Sequence, residues 1–226
     1  MKQNTIRKII YALIAAICLL LIIYGCSELL KVRKVETTAK EKDMQGFPYL
    51  GNRYLFSIHE DEINKFFLKK PEVKTALVKK KFPNTLSIDV VYRTKLAQII
   101  AEDNIFVLDE DGFIFEKIAT PATLPIIQIA PRKLDLGTNI TQNNITVALK
   151  ILNYANKNNL RFVDTIPLDE NTTEMTLDNG TRIVIGLNAK AEDIVSSLQM
   201  IFKRFTIEGK TISKIDYRFE KPIITF

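Results

Sequence analysis

Few residues of this chain are of the types that catalyse reactions or bind metals. The 226 residues include one histidine, His59, and two cysteines, Cys18 and Cys26. Both cysteines lie in or at the edge of an uncharged apolar run, so we expect no disulfide in the folded part, no zinc site and no catalytic thiol. A lone histidine at the start of a helix is usually a surface or packing residue, so His59 does not predict a general base.

The acidic residues are numerous, at 26, but no two of them are placed in a way that argues for acid–base catalysis. The segment Asp109-Glu110-Asp111-Gly112 is similar to the start of a calcium-binding loop. The remaining ligands of such a loop are missing, so we interpret this segment as a hairpin turn. The sequence also has no glycine-rich phosphate loop and no G-x-S-x-G motif. We therefore predict a non-enzymatic binding module with no catalytic, cofactor or metal site and no small-molecule substrate.

An apolar run precedes all the other elements. Residues 9–26, IIYALIAAICLLLIIYGC, carry no charge and follow Arg7 and Lys8. At about 1.5 Å per residue a helix over this run reaches roughly 27 Å, close to the hydrocarbon thickness of about 30 Å. We predict a single transmembrane helix at 9–26, a cytoplasmic tail at 1–8 and export of the rest. A cleaved signal peptide is the alternative, but the run exceeds the usual core of about 7–15 residues and no A-x-A-like cleavage site follows.

The charge is unevenly distributed. The formal net charge is +6; residues 31–96 hold 15 Lys and Arg against 8 Asp and Glu, whereas residues 97–226 hold 14 against 17. The part after the apolar run is nearly balanced, which argues against a nucleic-acid-binding protein with its concentrated basic face. The asymmetry has two interpretations. It is a chance feature of a solvated surface, or the basic part lies near anionic lipid head groups, where each cation contributes about 1 kcal/mol.

Residues 51–93 predict one helix followed by one β-hairpin. Ser57 and Glu60 have the spacing of a capping box, and apolar residues then recur at helical spacing. We expect this helix to end before Pro71, because proline is not accommodated in a helix interior.

The hairpin is predicted from two apolar runs that flank Phe82-Pro83-Asn84. Proline removes a ladder donor there and asparagine tolerates turn conformations. An earlier strand is predicted near Val32–Val35. Parallel pairing of that strand needs a crossover of a dozen or more residues, and residues 37–72 supply it. Together these elements predict a β-α-β-β unit.

Residues 97–226 predict a β-rich region with two helices, so the chain belongs to the α+β class. Helical periodicity marks Thr141–Asn158 and Ala191–Phe205, and Asp178-Asn179-Gly180 is a strong hairpin signal. Proline at the start of the last predicted strand suits an edge strand. The predicted strands of this region are 97–101, 105–108, 113–116, 163–168, 174–177, 181–185, 212–219 and 222–226.

Five short motifs carry a resemblance to a known family. They are GNRYLFSI at 51–58, PEVKTALV at 71–78, FPNTLSIDV at 82–90 with Arg93 and Ala97, VLD at 107–109 with Gly112 and Phe115, and IDYRF at 215–219. In this order, after an apolar anchor, they resemble the POTRA and β domains of the bacterial division protein family FtsQ, called DivIB in other lineages. The chain departs from the family at Tyr92, where glutamate is usual, at Lys95, where proline is common, and over residues 37–50.

The resemblance implies a single-pass protein of the cell inner membrane, located at the division septum, with a cytoplasmic N-terminus and an extracytoplasmic bulk. Residues 29–96 correspond to the POTRA domain, which serves localisation and contacts with other divisome components. Residues 97–226 correspond to the β domain, which binds FtsB- and FtsL-like partners that regulate septal peptidoglycan synthesis.

In the family, the partner adds a strand beside the last strand of the β domain. Main-chain hydrogen bonds at an open sheet edge are the physical basis of such binding. By motif match we predict that this surface consists of Arg218, Phe219, Glu220, Ile223, Ile224 and Thr225. The alternative is that Phe219 and Ile223 belong to the core and that the edge is capped by its own chain.

Two other functions are alternatives. One is a POTRA-containing component of envelope assembly or secretion that binds β-rich substrates, which a second POTRA repeat would favour; the sequence shows none. The other is an envelope hydrolase, which predicts an activity that is lost when a single carboxylate is replaced.

Overall fold

A computed structural model of the chain describes residues 2–102, 104–130 and 133–226, with the side chains of residues 2–12, Ile23 and Cys26 outside that description. The chain divides into two compact units, Met1–Tyr92 and Arg93–Phe226.

The first unit opens with helix α1, Lys2–Leu29. Several of its described apolar side chains are more than half exposed, among them Leu19 at 59%, Leu20 at 65% and Tyr24 at 66%. Within the described residues, no helix combines the length and the apolar character that crossing a bilayer requires. The transmembrane segment predicted at 9–26 includes side chains outside the description, and it stays a prediction.

A three-stranded sheet and one helix follow α1. Their bounds are β1 (Lys34–Thr37), α2 (Glu60–Leu68), β2 (Val73–Lys81) and β3 (Thr85–Tyr92). The sheet order is β1-β3-β2, with β1 parallel and β2 antiparallel to β3. The predicted β-α-β-β unit is therefore confirmed, and Leu55, Phe67, Leu86 and Ile88 are fully buried in its core.

The first strand begins two residues later than predicted. Val32 donates its N–H to Arg53 O at 2.8 Å, so this residue pairs with the segment before α2 rather than with the sheet. Parallel pairing starts after Arg33, whose N–H bonds Asn84 O at 3.0 Å. The apolar pattern of Val32–Val35 indicated burial but could not indicate which neighbour each residue has.

The predicted capping box at the start of α2 is wrong. His59 occupies the N-cap position and makes no side-chain cap hydrogen bond. Ser57 lies in a short 3₁₀ turn, Leu55–Ser57, and its hydroxyl donates to Tyr54 O at 2.8 Å. The first turn of α2 is instead stabilised by acidic residues, because negative charge is favourable at a helix N-terminus.

The second unit is a sheet of nine described strands with two helices. Its order is β12-β11-β10-β9-β8-β7-β4-β5-β6. The core lies where the two helices pack against the sheet, and Ile127, Leu149, Met175 and Leu198 are buried there. The α+β class with a β-rich second region is thus confirmed. The elements are β4 (Ala97–Ala101), β5 (Asn104–Leu108), β6 (Ile114–Ile118), β7 (Ile126–Ile127), α3 (Asn143–Lys157), β8 (Phe162–Pro167), β9 (Thr172–Leu177), β10 (Arg182–Gly186), α4 (Ala191–Ile207), β11 (Lys214–Asp216) and β12 (Ile223–Thr225).

The segment Asp109–Gly112 connects β5 to β6, as the hairpin interpretation predicted. Asp109 Oδ1 accepts the N–H groups of Asp111 at 3.0 Å and Phe113 at 2.9 Å, and Arg93 binds Oδ2. The carboxylate that would start a calcium loop is therefore 2% exposed and occupied by protein donors.

Candidate partner-binding edge

The last strand of the second unit lies at one edge of the nine-stranded sheet. β12 pairs antiparallel with β11 in the register Lys214↔Thr225, Ile215↔Ile224 and Asp216↔Ile223. β11 in turn pairs parallel with β10. No described strand pairs with the outer side of β12. An edge of this kind presents backbone groups to which an extended peptide can hydrogen-bond.

Alternate residues of β12 face opposite sides of the sheet, as strand geometry requires. Ile224 lies opposite the buried Ile215 and packs against the core. Ile223 is 52% exposed, and Thr225 on the same face is also exposed. A partner strand beside β12 therefore meets one apolar side chain that the fold does not use.

The connection between β11 and β12 carries the other predicted site residues. Sequence patterning placed Arg218 and Phe219 in a strand that extends to 219, but β11 ends at Asp216. Tyr217 turns inward, donating its N–H to Val184 O at 2.8 Å and its hydroxyl to Ser197 Oγ at 3.0 Å. Burial raises the pKa of the Tyr217 hydroxyl. Tyr217 thus fixes the start of the turn, and the next residues lie outside the strand.

Arg218 is held by a two-pronged ion pair. Its Nε lies 3.0 Å from Asp216 Oδ1 and its Nη2 lies 2.6 Å from Oδ2, while its own N–H donates to Oδ1 at 3.0 Å. The hydrogen bonds from Arg218 lower the pKa of the Asp216 carboxyl below its usual value. Asp216 is nearly buried, so this pair orders the turn and leaves less of the guanidinium available to a partner.

Phe219 and Glu220 lie at the outer end of the turn. Phe219 is 55% exposed and Glu220 is exposed. The alternative that Phe219 and Ile223 are core residues is therefore wrong for both side chains. The structure brings the six predicted residues together on the turn and edge strand. Their role in binding stays a prediction.

Sequence reasoning missed one aromatic residue beside this edge. Phe226 is 58% exposed and packs edge-on against Phe205 of α4, with ring centroids 5.1 Å apart. The ammonium group of Lys210 lies 5.5 Å from the Phe226 ring. The alternation of Ile224 and Phe226 was the available signal, since residues two apart in a strand share a face.

Among the described residues, no group of three or more His, Cys, Asp and Glu side chains is arranged to hold a metal ion. The chemistry available at the β12 edge is main-chain hydrogen bonding and apolar contact.

Residues 34–93 match the protein family described as "POTRA domain, FtsQ-type". These residues are therefore similar to an FtsQ-type POTRA domain. The match begins at the first residue of β1 and ends just after β3, so it covers the whole β-α-β-β unit. It confirms, for this part of the chain, the resemblance to the FtsQ family that the motifs at 51–58, 71–78 and 82–90 predicted.

The second comparison is with solved structures. The major extracytoplasmic domain of the trans isomer of the bacterial cell division protein DivIB from Geobacillus stearothermophilus is similar, at 15% sequence identity and a TM-score of 0.33, over 53% of this chain and 99% of that chain. No curated protein matches the chain.

Within the POTRA domain, the departure at Tyr92 has a structural partner in the departing segment 37–50. The Tyr92 hydroxyl donates to Asp43 Oδ2 at 2.7 Å and accepts the N–H of Lys40 at 2.7 Å. Lys70 completes the cluster, with its ammonium group 3.2 Å from Asp43 Oδ1. Tyr92 therefore ties the connector 37–50 to the sheet.

Proposed function

We propose that this chain is a non-enzymatic, membrane-anchored scaffold of bacterial cell division that links early and late division proteins to septal peptidoglycan synthesis. Its β domain captures an extended segment of an FtsB- or FtsL-like partner along β12. The observation that carries this proposal is the open edge of the nine-stranded sheet, because its outward Ile223 and the neighbouring Phe219 are exposed.

The edge accounts for both affinity and selectivity. Main-chain hydrogen bonds to β12 provide sequence-independent affinity for an extended segment. Exposed apolar residues at the centre of an interface carry most of the binding energy when a partner covers them. Phe219 and Ile223 provide such contacts, whereas Ile224 stabilises the strand from the core side.

The anchor and the domain division complete the proposal. The tail at 1–8 lies in the cytoplasm, 9–26 spans the inner membrane, 29–96 is the POTRA domain and 97–226 is the β domain at the extracytoplasmic septum. The uncharged run at 9–26 and the exposed leucines of α1 support the anchor, because a helix over this run is nearly as long as the hydrocarbon layer is thick.

Depletion in growing cells tests the scaffold role. Cells that lose the protein should form filaments with incomplete septa, and the wild-type chain supplied in trans should restore division. Normal division after complete depletion contradicts the proposal.

Co-purification with the FtsB-like protein from membranes tests the edge. Phe219→Ala should weaken capture about tenfold, because the variant removes the apolar contact that the exposed ring would make with a partner that covers it. Leu136→Ala is the matched control, since Leu136 is 47% exposed and the next residue, Gly137, donates its N–H to Ile114 O of β6, at the opposite end of the sheet from β12. Equal capture by both variants removes Phe219 from the site.

A further inference from the structure

Two phenylalanines form an exposed pair on the POTRA domain. The rings of Phe56 and Phe82 lie 5.2 Å apart, and the side chains are 62% and 61% exposed. Tyr54, two residues before Phe56, is 44% exposed. Contiguous exposed apolar side chains are typical of interaction sites, whereas isolated ones are normal on a protein surface, so the contact between the two rings is the reason to consider this surface.

This pair lies close to the point where the chain leaves α1. The helix ends at Leu29, and Leu30 O then accepts the N–H of Leu55 at 2.8 Å, directly before Phe56. Arg33 and Lys34 donate their N–H groups to Asn84 O, two residues after Phe82. Phe56 is one residue from Leu55 and Phe82 is two residues from Asn84, and both Leu55 and Asn84 are hydrogen-bonded to the segment that directly follows α1.

Basic residues lie on the backbone segments that hold the pair, because Arg33 N–H bonds Asn84 O and Arg53 O accepts the N–H of Val32. Arg33 and Arg53 are exposed, and no described carboxylate forms an ion pair with either. Lys31 lies over the Tyr54 ring at 5.5 Å, with Glu28 as its ion-pair partner. The surface thus combines aromatic rings with cations, the combination found in segments that lie at the interface of anionic membranes.

We infer that the surface formed by Tyr54, Phe56, Phe82, Arg33 and Arg53, named here the exit patch, docks on the anionic lipid surface next to α1. The two phenylalanines enter the head-group region and the two arginines bind lipid phosphates. The inference rests on the proposed membrane anchor, and it adds a second contact that fixes the orientation of the POTRA domain on the bilayer. Charge complementarity and the closeness of the α1 exit favour lipid over a protein occupant.

Tryptophan fluorescence tests this inference on the full chain, which contains no tryptophan. Phe82→Trp provides a single reporter in the exit patch. The full-length variant is reconstituted into vesicles of phosphatidylcholine and phosphatidylglycerol at a 3:1 ratio, with and without phosphatidylcholine brominated on its acyl chains. Brominated lipid quenches tryptophan only at short range, so quenching reports insertion.

Leu68→Trp is the matched control. Leu68 is 50% exposed and lies at the end of α2, before the start of β2. Phe82 follows the other end of β2, and nine residues of strand at about 3.3 Å each separate the two sites by roughly 25 Å. We expect at least twofold quenching of Phe82→Trp and none of Leu68→Trp. Arg33→Gln with Arg53→Gln should reduce the quenching, as should vesicles of phosphatidylcholine alone.

The possible outcomes distinguish failure of lipid docking from failure of the membrane anchor. If the full chain floats with the vesicles after a carbonate wash and Phe82→Trp is no more quenched than Leu68→Trp, the anchor holds and lipid docking is overturned in favour of a protein occupant or a solvated surface. If the chain does not float, the anchor and the exit patch both fail.

Discussion

The two sheets of this protein each end in an edge strand, and the two edges differ in what their side chains permit. β2, at the edge of the POTRA sheet, is nine residues long and exposes Thr75, Leu77, Lys79 and Lys81 on one face. β12, at the edge of the nine-stranded sheet, is three residues long and exposes Ile223. By length alone, β2 is the better template for an added strand.

The side chains favour β12 over β2 as the template for an added strand. Lysine on an edge strand opposes pairing with another chain, because the approach of a second strand would desolvate the charge. β12 lacks such a charge and is flanked by exposed phenylalanines. We therefore expect side-chain chemistry, rather than strand length, to distinguish a protected edge from a binding edge. Four changes test it, in order of decreasing effect.

A lysine on β12, like those on β2, should give the largest effect, a loss of partner binding. We expect Ile223→Lys to weaken capture of the FtsB-like partner by roughly 10- to 100-fold, because a partner strand would bury the ammonium group. The fold should tolerate the change within about 0.5 kcal/mol, since position 223 is exposed and lies opposite Asp216. Affinity and denaturant unfolding of the full chain in detergent measure the two quantities.

Ile100→Lys is the matched control for that change. Ile100 is 47% exposed on β4, an interior strand of the same sheet. It should leave capture unchanged, and a comparable loss would show that charge anywhere on this sheet, rather than at its edge, weakens binding.

Removing the lysine charges of β2 should give the second-largest effect, an increase in self-association. Lys79→Thr with Lys81→Thr leaves an outward face of Thr75, Leu77 and two further threonines, which favours strand pairing. We expect severalfold tighter self-association of the full chain in detergent, measured by sedimentation equilibrium. Lys65→Thr with Lys69→Thr changes the net charge equally, at an exposed position of α2 and at the exposed residue that caps its C-terminus. Equal self-association of the two double variants would show that net charge, not the edge, is responsible.

A smaller effect is expected at the turn before β12. The usual pKa of Asp216 is 3.8, and the hydrogen bonds from Arg218 lower it. A lowered carboxyl pKa contributes stability that is present above the unfolded-state value and is lost as the pH falls through the folded-state value. Partner capture by the wild type should therefore be flat between about pH 8 and 5.

Arg218→Gln removes those hydrogen bonds and leaves a nearly buried carboxyl, so the pKa of Asp216 should rise. We expect about threefold weaker capture at pH 7 and a further loss toward pH 5, because the turn is less ordered. Arg182→Gln on β10 removes the same charge from an exposed position and should show neither change. A flat profile for Arg218→Gln would contradict the ordering role of the pair.

The smallest expected effect is a change in the pKa of one carboxyl group in the POTRA sheet. Hydrogen bonds from Lys34 and Lys81 lower the pKa of Glu36 from 4.5 to about 2. The folding stability that these hydrogen bonds contribute is fully present above pH 4.5 and is lost as the pH falls through about 2. In Lys81→Thr the pKa of Glu36 should move back toward its usual value, as an NMR titration of the carboxyl would show. An unmoved value would exclude the bond between β1 and the end of β2.

The elements were predictable from sequence because their patterns are local. Leu86, Ile88 and Val90 alternate in the sequence and are buried in the structure. Details that depend on contacts between residues outside the local pattern, such as strand pairing and helix capping, were not predictable from sequence. Val32 was predicted in the first strand, but its backbone pairs with Asn52 and Arg53, and the capping box failed because Ser57 bonds Tyr54 instead.

The candidate site was predictable only in part. Its residues came from motif match, and the proline before β12 correctly indicated an edge strand. Exposure of Phe219 and the inward turn of Tyr217 could not be derived, since both depend on where β11 ends. Phe226 was missed because its neighbour Phe205 lies on a helix that periodicity assigned to the core.

The parallel pairing of β1 with β3 also sets an order in time. The register joins Lys34 to Thr85, roughly fifty residues later in the chain. At about 5–20 residues per second, synthesis needs several seconds to supply β3 after β1 has emerged. During that interval β1 has no strand partner, and α2 forms from local contacts. The β2–β3 hairpin forms once β3 has been supplied, because its two strands are neighbours in the sequence. We therefore expect the POTRA domain to close last at its first strand.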